Sequence, residues 1–317
     1  MTPKERYRRL CEAEATIPLF SQAWWLDAVA GDASWDVCLA ENDGVIQASM
    51  PYVMKTTKLG FRFLVQPPLT QNLGPWLRAS DFRIAKKLAR EKDLLEALIG
   101  QLPRYDYFSQ NLHYVNTNWL PFYWAGFKQT TRYTYVIEDL SDLDRVFSGF
   151  EYAKRKNIRK ANQVVRVVFD LDADAFYDNH VLTLGKQGAQ ISYSRDLFRR
   201  IYSAAYRKGA GKTIAAFDAD GNLHAALFVV RDRLSAYDLI STIDPDYRRF
   251  GAASLLVMEI IRHMSTHVNR FDFEGSMIES VERSFRQFGA KQMPYFSVSR
   301  APSRLVRGAM CIREVLR

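Results

Sequence analysis

Cysteine is almost missing from this chain: Cys11, Cys38 and Cys311 are the only three, far apart and odd in number. That spacing excludes a disulfide framework and a clustered thiolate metal site, and leaves three small, thiol-bearing packing residues. Histidine is nearly as scarce. Only His263 and His267 stand at helical i, i+4 spacing, no third ligand accompanies them, and a helix end favours such side chains anyway; no metal is expected. No apolar run approaches the roughly 18 residues of a membrane-spanning helix. The longest, residues 225–230 and 252–258, suit a buried strand and a buried helix face. The opening Thr2-Pro3-Lys4-Glu5-Arg6 lacks the apolar centre of a secretory signal, so a cytoplasmic protein is expected. Low-complexity segments and long linkers are absent too, as is the Gly-x-Ser-x-Gly elbow of a covalent serine mechanism.

What is present is ordinary globular material in quantity for two cores: 317 residues, 48% apolar and 25% charged. The net charge of +9 raises the local concentration of polyanions. Coenzyme A, nucleotide-linked sugars, RNA and anionic lipid surfaces all qualify; DNA is not an expected partner.

Periodicity and turn residues give the element order. Ser21 is read as the cap of a helix through Val29 that Gly31 stops. Asn42-Asp43-Gly44 joins strands 35–41 and 45–55 as a hairpin. Strand 62–65, helix 81–101, strand 105–111, a helical piece 121–125 and strand 130–137 complete the first half. The second half opens on a basic helix, 143–162, then strand 164–170 and helices 173–186 and 195–208, the latter capped by Ser194. Strands 212–218, 223–231 and 234–242 form a meander. Helix 252–267, strand 270–274, helix 279–288 and strand 295–300 follow.

One stretch occurs twice. Phe122-Tyr123-Trp124-Ala125-Gly126-Phe127-Lys128-Gln129 and Phe285-Arg286-Gln287-Phe288-Gly289-Ala290-Lys291-Gln292 share Phe, Gly, Lys and Gln at a constant offset of 163 positions. An apolar strand precedes each copy and another follows. The order implies one unit used twice.

The chemistry-bearing stretch lies after strand 234–242, which runs through Thr242 and Ile243 into Asp244-Pro245-Asp246-Tyr247. Arg248-Arg249-Phe250-Gly251-Ala252-Ala253-Ser254 then opens an apolar helix. Amides at a helix start attract anions, arginines add charge-assisted hydrogen bonds, and Gly251 permits close backbone approach. Glu274 is the candidate base, because a carboxylate beside Phe271 and Phe273 has a raised pKa. Asp272 is the next. Tyr237 and Tyr295 are candidate proton donors to a leaving group, and Arg286 a candidate oxyanion stabiliser. Arg155, Arg159 and Lys160, within Lys154-Arg155-Lys156-Asn157-Ile158-Arg159-Lys160, put cations along one helix. Aromatics such as Trp119, Phe122 and Tyr133 are read as packing.

The sequence Arg248-Arg249-Phe250-Gly251-Ala252-Ala253 between a fourth strand and a third helix resembles the pyrophosphate turn of the GNAT acyltransferase superfamily. The following strand, helix, aromatic-Gly turn and strand also fit that pattern. With the echo, the chain resembles the two-domain FemABX and BioF2-like acyltransferases, on Arg155–Ala161, Asp244–Ala253 and Phe271-Asp272-Phe273-Glu274-Gly275-Ser276. The resemblance implies an α/β (α+β) fold of two tandem GNAT-like domains, each a mixed, mostly antiparallel sheet flanked by helices. Residues 1–140 would be a degenerate copy for acceptor binding or support, with 301–317 packing back on it. Residues 141–300 would carry the donor turn, since the region 78–87 of the first half has no Gly in a basic turn. It also implies an N-acyltransferase with acyl-CoA as co-substrate and no tightly bound cofactor. The alternatives are an aminoacyl-tRNA-dependent transferase acting on a cell-wall precursor and a non-catalytic basic binding module; under any of these readings the expected partners include tRNA and a peripheral contact with the inner membrane surface. FemABX enzymes usually show Phe-Lys-Lys-Gly-Phe near the end, whereas Phe285-Arg286-Gln287-Phe288-Gly289 stands here. That difference ranks acyl-CoA ahead of tRNA. The acceptor stays open among a lipid-linked peptide, a sugar amine, a polyamine and a protein.

Overall fold

The structure, a computed structural model, describes residues 1–275 and 277–315. Ser276 of the stretch quoted above and the Cys311 side chain lie outside the described residues. The chain forms two compact units: residues 1–132 with 294–317, and residues 133–293. It crosses between them inside two strands, and hydrogen bonding decides where. Val136 and Ile137 pair with Asp272 and Phe271 in the second unit, whereas Ser297–Arg300 pair with Asn111–Phe108 in the first.

The first unit begins with α1 (Pro3–Ala13), whose Thr2 and Glu5 make a reciprocal capping box with Pro3 at the first helical position. Helix α2 (Ala23–Ala30) follows. Its cap is Gln22 rather than Ser21, which is buried in the preceding single turn Leu19–Ser21. Strands β1 (Trp35–Asn42) and β2 (Val45–Thr56) pair across Asp43-Gly44. Both turn residues have positive φ, as a two-residue hairpin of this hand demands. β2 then pairs antiparallel with β3 (Arg62–Val65) and with the short β4 (Trp76–Leu77). After α3 (Ile84–Gly100), β5 (Tyr107–Asn111) returns parallel to β3. Helix α4 (Leu120–Trp124) and Gly126 lead into β6 (Lys128–Ile137).

The second unit repeats that order with more strands. The basic helix expected over 143–162 is two helices, α5 (Leu143–Ser148) and α6 (Tyr152–Ala161). The break is stabilised by packing: Phe150 is buried edge-to-face against Phe147 and Phe288. A Cβ on Gly289 would stand 2.6 Å from the Gly149 carbonyl oxygen, so the two glycines allow the break to sit against the later turn. β7 (Arg166–Phe169) precedes α7 (Ala173–Gly185) and α8 (Arg195–Arg207), which Ser194 caps. β8 (Gly211–Phe217), β9 (Leu223–Arg231) and β10 (Ser235–Ile243) are the antiparallel meander. α9 (Ala252–Met264) crosses to β11 (Arg270–Asp272), parallel to β10. α10 (Glu279–Arg286), Gly289 and β12 (Lys291–Arg300) close the unit, and α11 (Arg304–Val315) ends the chain in unit 1.

Sheet order in unit 2 is β6-β11-β10-β9-β8-β7. One face carries Ile214, Ala216, Leu227 and Val229 against α6 and α9; the other carries Phe228 against Phe176 and Phe198 of α7 and α8. The sheet is therefore covered on both sides, and its ligand-accessible part is where two strands separate.

The twofold echo has a structural counterpart. The Gly126 amide donates to Tyr123 O at 2.9 Å and the Gly289 amide to Arg286 O at 3.2 Å, and both glycines have positive φ. Each therefore turns a helix end into a strand by the same local hydrogen bond. β3–α3–β5 and β10–α9–β11 are likewise both a strand, a helix and a parallel strand.

Candidate active site

β10 and β11 pair over only three positions, Ser235–Tyr237 with Arg270–Asp272. Beyond them β10 runs on to Ile243 while the chain after β11 turns away. A β-bulge on β10 sits at the point of separation: the register with β9 slips between Asp238 and Ile240. A bulge re-aims side chains and loosens pairing. The splay thus opens a wedge bounded by a bulged strand, the turn into α9, and the loop after β11.

That loop is conformationally costly. Glu274 has φ of 59° and Gly275 φ of 62°. A non-glycine residue in the left-handed region costs about 1 kcal/mol or more, and such outliers gather at functional positions. The loop is held by the Glu274 amide donating to Asp272 Oδ1 at 2.8 Å and the Phe273 amide donating to Tyr135 O at 2.9 Å. Gly275 is required: a Cβ there would lie 2.1 Å from the Tyr133 carbonyl oxygen.

Three carboxyl groups meet at the wedge. Asp272 is buried and accepts from the Thr134 hydroxyl; burial is the main reason its pKa rises to about 7, and the Asp232 charge adds to it. Asp238 is buried on the bulge, where Ser241 Oγ donates to it at 2.8 Å, and burial pushes it to about 6. Glu274 is raised well above the usual carboxyl range by burial first, and then by the Asp272 and Asp238 charges. Among the described residues no group of three or more His, Cys, Asp or Glu side chains is arranged to hold a metal ion.

The turn into α9, expected to bind the donor, is tighter than an open loop. Arg248–Phe250 form a single 3-10 turn, and Gly251 follows at φ of 81°. The Phe250 and Gly251 amides donate to Tyr247 O and Arg248 O, so they are not free for a ligand. The amides open to one are those of Ala252 and Ala253, for which no acceptor stands among the described residues. Gly251 allows a close approach, but of protein rather than ligand. Its Cβ would meet Asn157 Cβ at 2.7 Å and Asn157 O at 2.8 Å, so α6 packs directly on the turn. Arg248 and Arg249 are exposed, the latter 4.9 Å from the Phe250 ring centroid. Ala252 and Ser254 are buried in the first turn of α9, and Ala253 packs beside the core.

Several expected ligand contacts are occupied within the protein. Thr242 is buried on the opposite face, its hydroxyl donating to Asn179 Oδ1 at 2.6 Å, while Ile243 pairs with Ala225. Tyr237 is buried on β10 opposite Asp272, one residue before the bulge, and donates to Asp232 Oδ2 at 2.9 Å. Lys160 caps the turn by donating to Arg249 O at 2.9 Å. Arg155 donates to Ser148 O and Phe150 O, stabilising the helix break. Arg286 is an exposed i, i+4 neighbour of Glu282 at 3.8 Å. Tyr295 falls in unit 1, where Gln71 donates to its hydroxyl at 3.4 Å. Arg159 is exposed on α6.

Sequence reading passed over three groups. Asp238 had a signal, a charged residue inside an otherwise buried strand. Thr134 had none. Lys154 looked like one more basic residue, yet it is buried, its Nζ donating to Ser284 Oγ at 2.8 Å and lying 4.2 Å from the Phe288 ring centroid. Burial lowers its pKa to about 8.

Residues 149–279 match the family model described as "Acetyltransferase (GNAT) domain". That span runs from the helix break through the turn into α9 to the start of α10. No curated protein sequence is similar enough to match. Among solved structures, FemX superposes with a TM-score of 0.69 at 11% identity, covering 93% of this chain and 96% of that one. L-PGS from Bacillus licheniformis gives 0.53 at 10% identity, with 97% and 95% covered. The C-terminal domain of a putative lysylphosphatidylglycerol synthetase from Agrobacterium fabrum gives 0.54 at 11%, with 98% and 95% covered. No described helix is long and apolar enough to cross a membrane. Residues 149–279 are a GNAT acyltransferase domain, and the chain that carries it has the fold of FemX.

Proposed function

We propose that the chain is an N-acyltransferase that moves an acyl group from acyl-CoA to an amine. The observation that carries this is the placement of the β10–β11 splay, with an anion-holding helix start at the end of one strand and a carboxyl cluster at the end of the other. The CoA diphosphate would meet the Ala252 and Ala253 amides, with Arg248 and Arg249 adding charge. The thioester would then extend along the bulged part of β10, where the Leu239 peptide is out of register with β9 and can hold the carbonyl oxygen.

The acceptor amine attacks that carbonyl. A C–N bond forms, the C–S bond breaks, and the thiolate leaves. The amine proton passes to the Asp272–Glu274 pair, directly or through water. The Asp272 charge raises Glu274, so the two titrate as a coupled pair, and a base whose pKa lies near the working pH is the efficient one. Rate should therefore rise with pH through about 7, as Asp272 loses its proton. Unit 1, whose β3–α3 connection lacks the short basic Gly turn, would bind or support the acceptor.

The aminoacyl-tRNA reading draws on the net charge of +9 and on the fold shared with FemX and a lysylphosphatidylglycerol synthetase. Titration of CoA and of an aminoacyl-tRNA against thermal stability separates the two. A saturable rise with CoA supports acyl-CoA; a rise with aminoacyl-tRNA alone transfers the site to the second reading.

A further inference from the structure

Helix α3 of unit 1 changes character halfway along. Its apolar stripe runs Ile84, Leu88, Leu95, Leu98, all within about 80° on a helical projection. The C-terminal half of that stripe is core, with Leu95 1% and Leu98 0% exposed. The N-terminal half is bare: Leu88 is 45% exposed, Ile84 70%, and Phe82, just before the helix, 42%. Every residue from 81 to 89 is exposed. Two turns of helix thus carry the stripe beyond the body that should cover it.

The flanking charge has one sign. Arg83, Lys86 and Lys87 are all exposed, against the single carboxylate Asp81. Lys86 Nζ lies 4.1 Å from the centroid of the exposed Phe82 ring just before the helix, so this cation and that aromatic side chain share one spot on the surface. Arg90 does not count among the free cations, because it donates to Arg78 O and Gln47 Oε1. Those bonds anchor the helix where it leaves the core. Asn118 Nδ2 donates to Glu91 Oε2 at 3.3 Å, setting the chain that enters α4 beside the middle of α3. Leu120, Tyr123 and Trp124 of α4 are exposed as well.

We propose that this projecting half of α3, with the α4 aromatics, docks the protein on an anionic phospholipid surface. A short basic helix with one apolar stripe lies in the plane of such a surface, its apolar side chains at the acyl boundary and its cations among the headgroups; tyrosine and tryptophan favour the same depth. A second copy of the chain is a poorer occupant. A twofold contact would set Arg83, Lys86 and Lys87 against their own like charges. The consequence is that the protein works at a membrane surface, independently of which acyl donor it uses.

The test is co-sedimentation of the full chain with vesicles of phosphatidylglycerol and phosphatidylcholine mixed, and of phosphatidylcholine alone. Two double variants are compared, Ile84→Ser with Leu88→Ser and Lys86→Glu with Lys87→Glu. All four positions are exposed, so thermal unfolding should match the wild type. The wild type is expected to bind the anionic vesicles and to release them as salt rises. Each double variant should bind at least about tenfold more weakly, since each basic residue near an anionic surface contributes about 1 kcal/mol and each buried methylene about 0.8. Equal binding to both vesicle types, unchanged binding by the variants, or a wild-type dimer that the serine variant dissociates would each overturn the assignment.

Discussion

Asp272→Asn probes the wedge most informatively, because stability and activity should move in opposite directions. Asp272 is buried, and its pKa of about 7 lies about three units above the 3.8 of an ordinary aspartate. The folded state therefore binds a proton that the unfolded chain has released between those values, and stability must fall as pH rises from about 4 to 7. Three units at about 1.36 kcal/mol each set a ceiling of about 4 kcal/mol, fully lost by pH 8. Asparagine has nearly the same shape. It keeps an oxygen to accept from Thr134 and the Glu274 amide but never becomes charged. At pH 5 the variant and wild type should melt together. At pH 8 the variant should be the more stable by roughly 2 kcal/mol, half the ceiling because the new NH2 needs its own acceptor, which for a unit of this size is a Tm gain of about 4–8 °C. Acyl transfer by the same variant should drop at least tenfold. The assay is thermal unfolding at both pH values with turnover measured beside it. Parallel stability curves for the two proteins from pH 5 to 8 would refute the raised pKa and with it the acid–base role.

Other substitutions test the supporting geometry. Gly251→Ala adds a Cβ that would lie 2.7 Å from Asn157 Cβ at a φ of 81°. It should cost at least about 2 kcal/mol, read as a lower Tm, and abolish stabilisation by CoA. Lys154→Met should raise stability at pH 7 by up to about 3 kcal/mol. The lysine's pKa of about 8 against 10.5 means its charged form is strained in the fold. Wild-type stability should climb from pH 8 to 10.5 while the Met variant's should not, in denaturant melts across that range. Tyr237→Phe should lose about 1 kcal/mol of stability, because its hydroxyl donates to the buried Asp232, and should keep most of its turnover; a large fall in kcat would instead favour Tyr237 as the proton donor.

How much of this was legible in the sequence follows the range of the forces involved. The meander, the α9 crossover and the helix-Gly-strand repeat were readable, because periodicity and turn residues act locally. The α1 helix could have been read from Thr2-Pro3-Lys4-Glu5, whose capping box is itself a local signal. The break at Gly149-Phe150 was not readable. Periodicity continues across it, and only the distant Phe288 and Gly289 make the break favourable. The turn into α9 and its glycine were readable from their residues, yet the amides taken by the 3-10 turn could be known only from backbone geometry. Asp272 and Glu274 were named from their aromatic neighbours. Asp238 joins them through a bulge, and a bulge is a register event between two strands that neither strand's sequence declares.

The central claim is that the start of α9 holds the diphosphate of an acyl carrier, and calorimetric titration of CoA into the wild type and Arg249→Glu tests it most directly. The account predicts saturable binding by the wild type, at least tenfold weaker binding by the variant, and a salt dependence that shrinks with the lost charge. Wild-type and variant curves that coincide, or no binding of CoA to either, would contradict it.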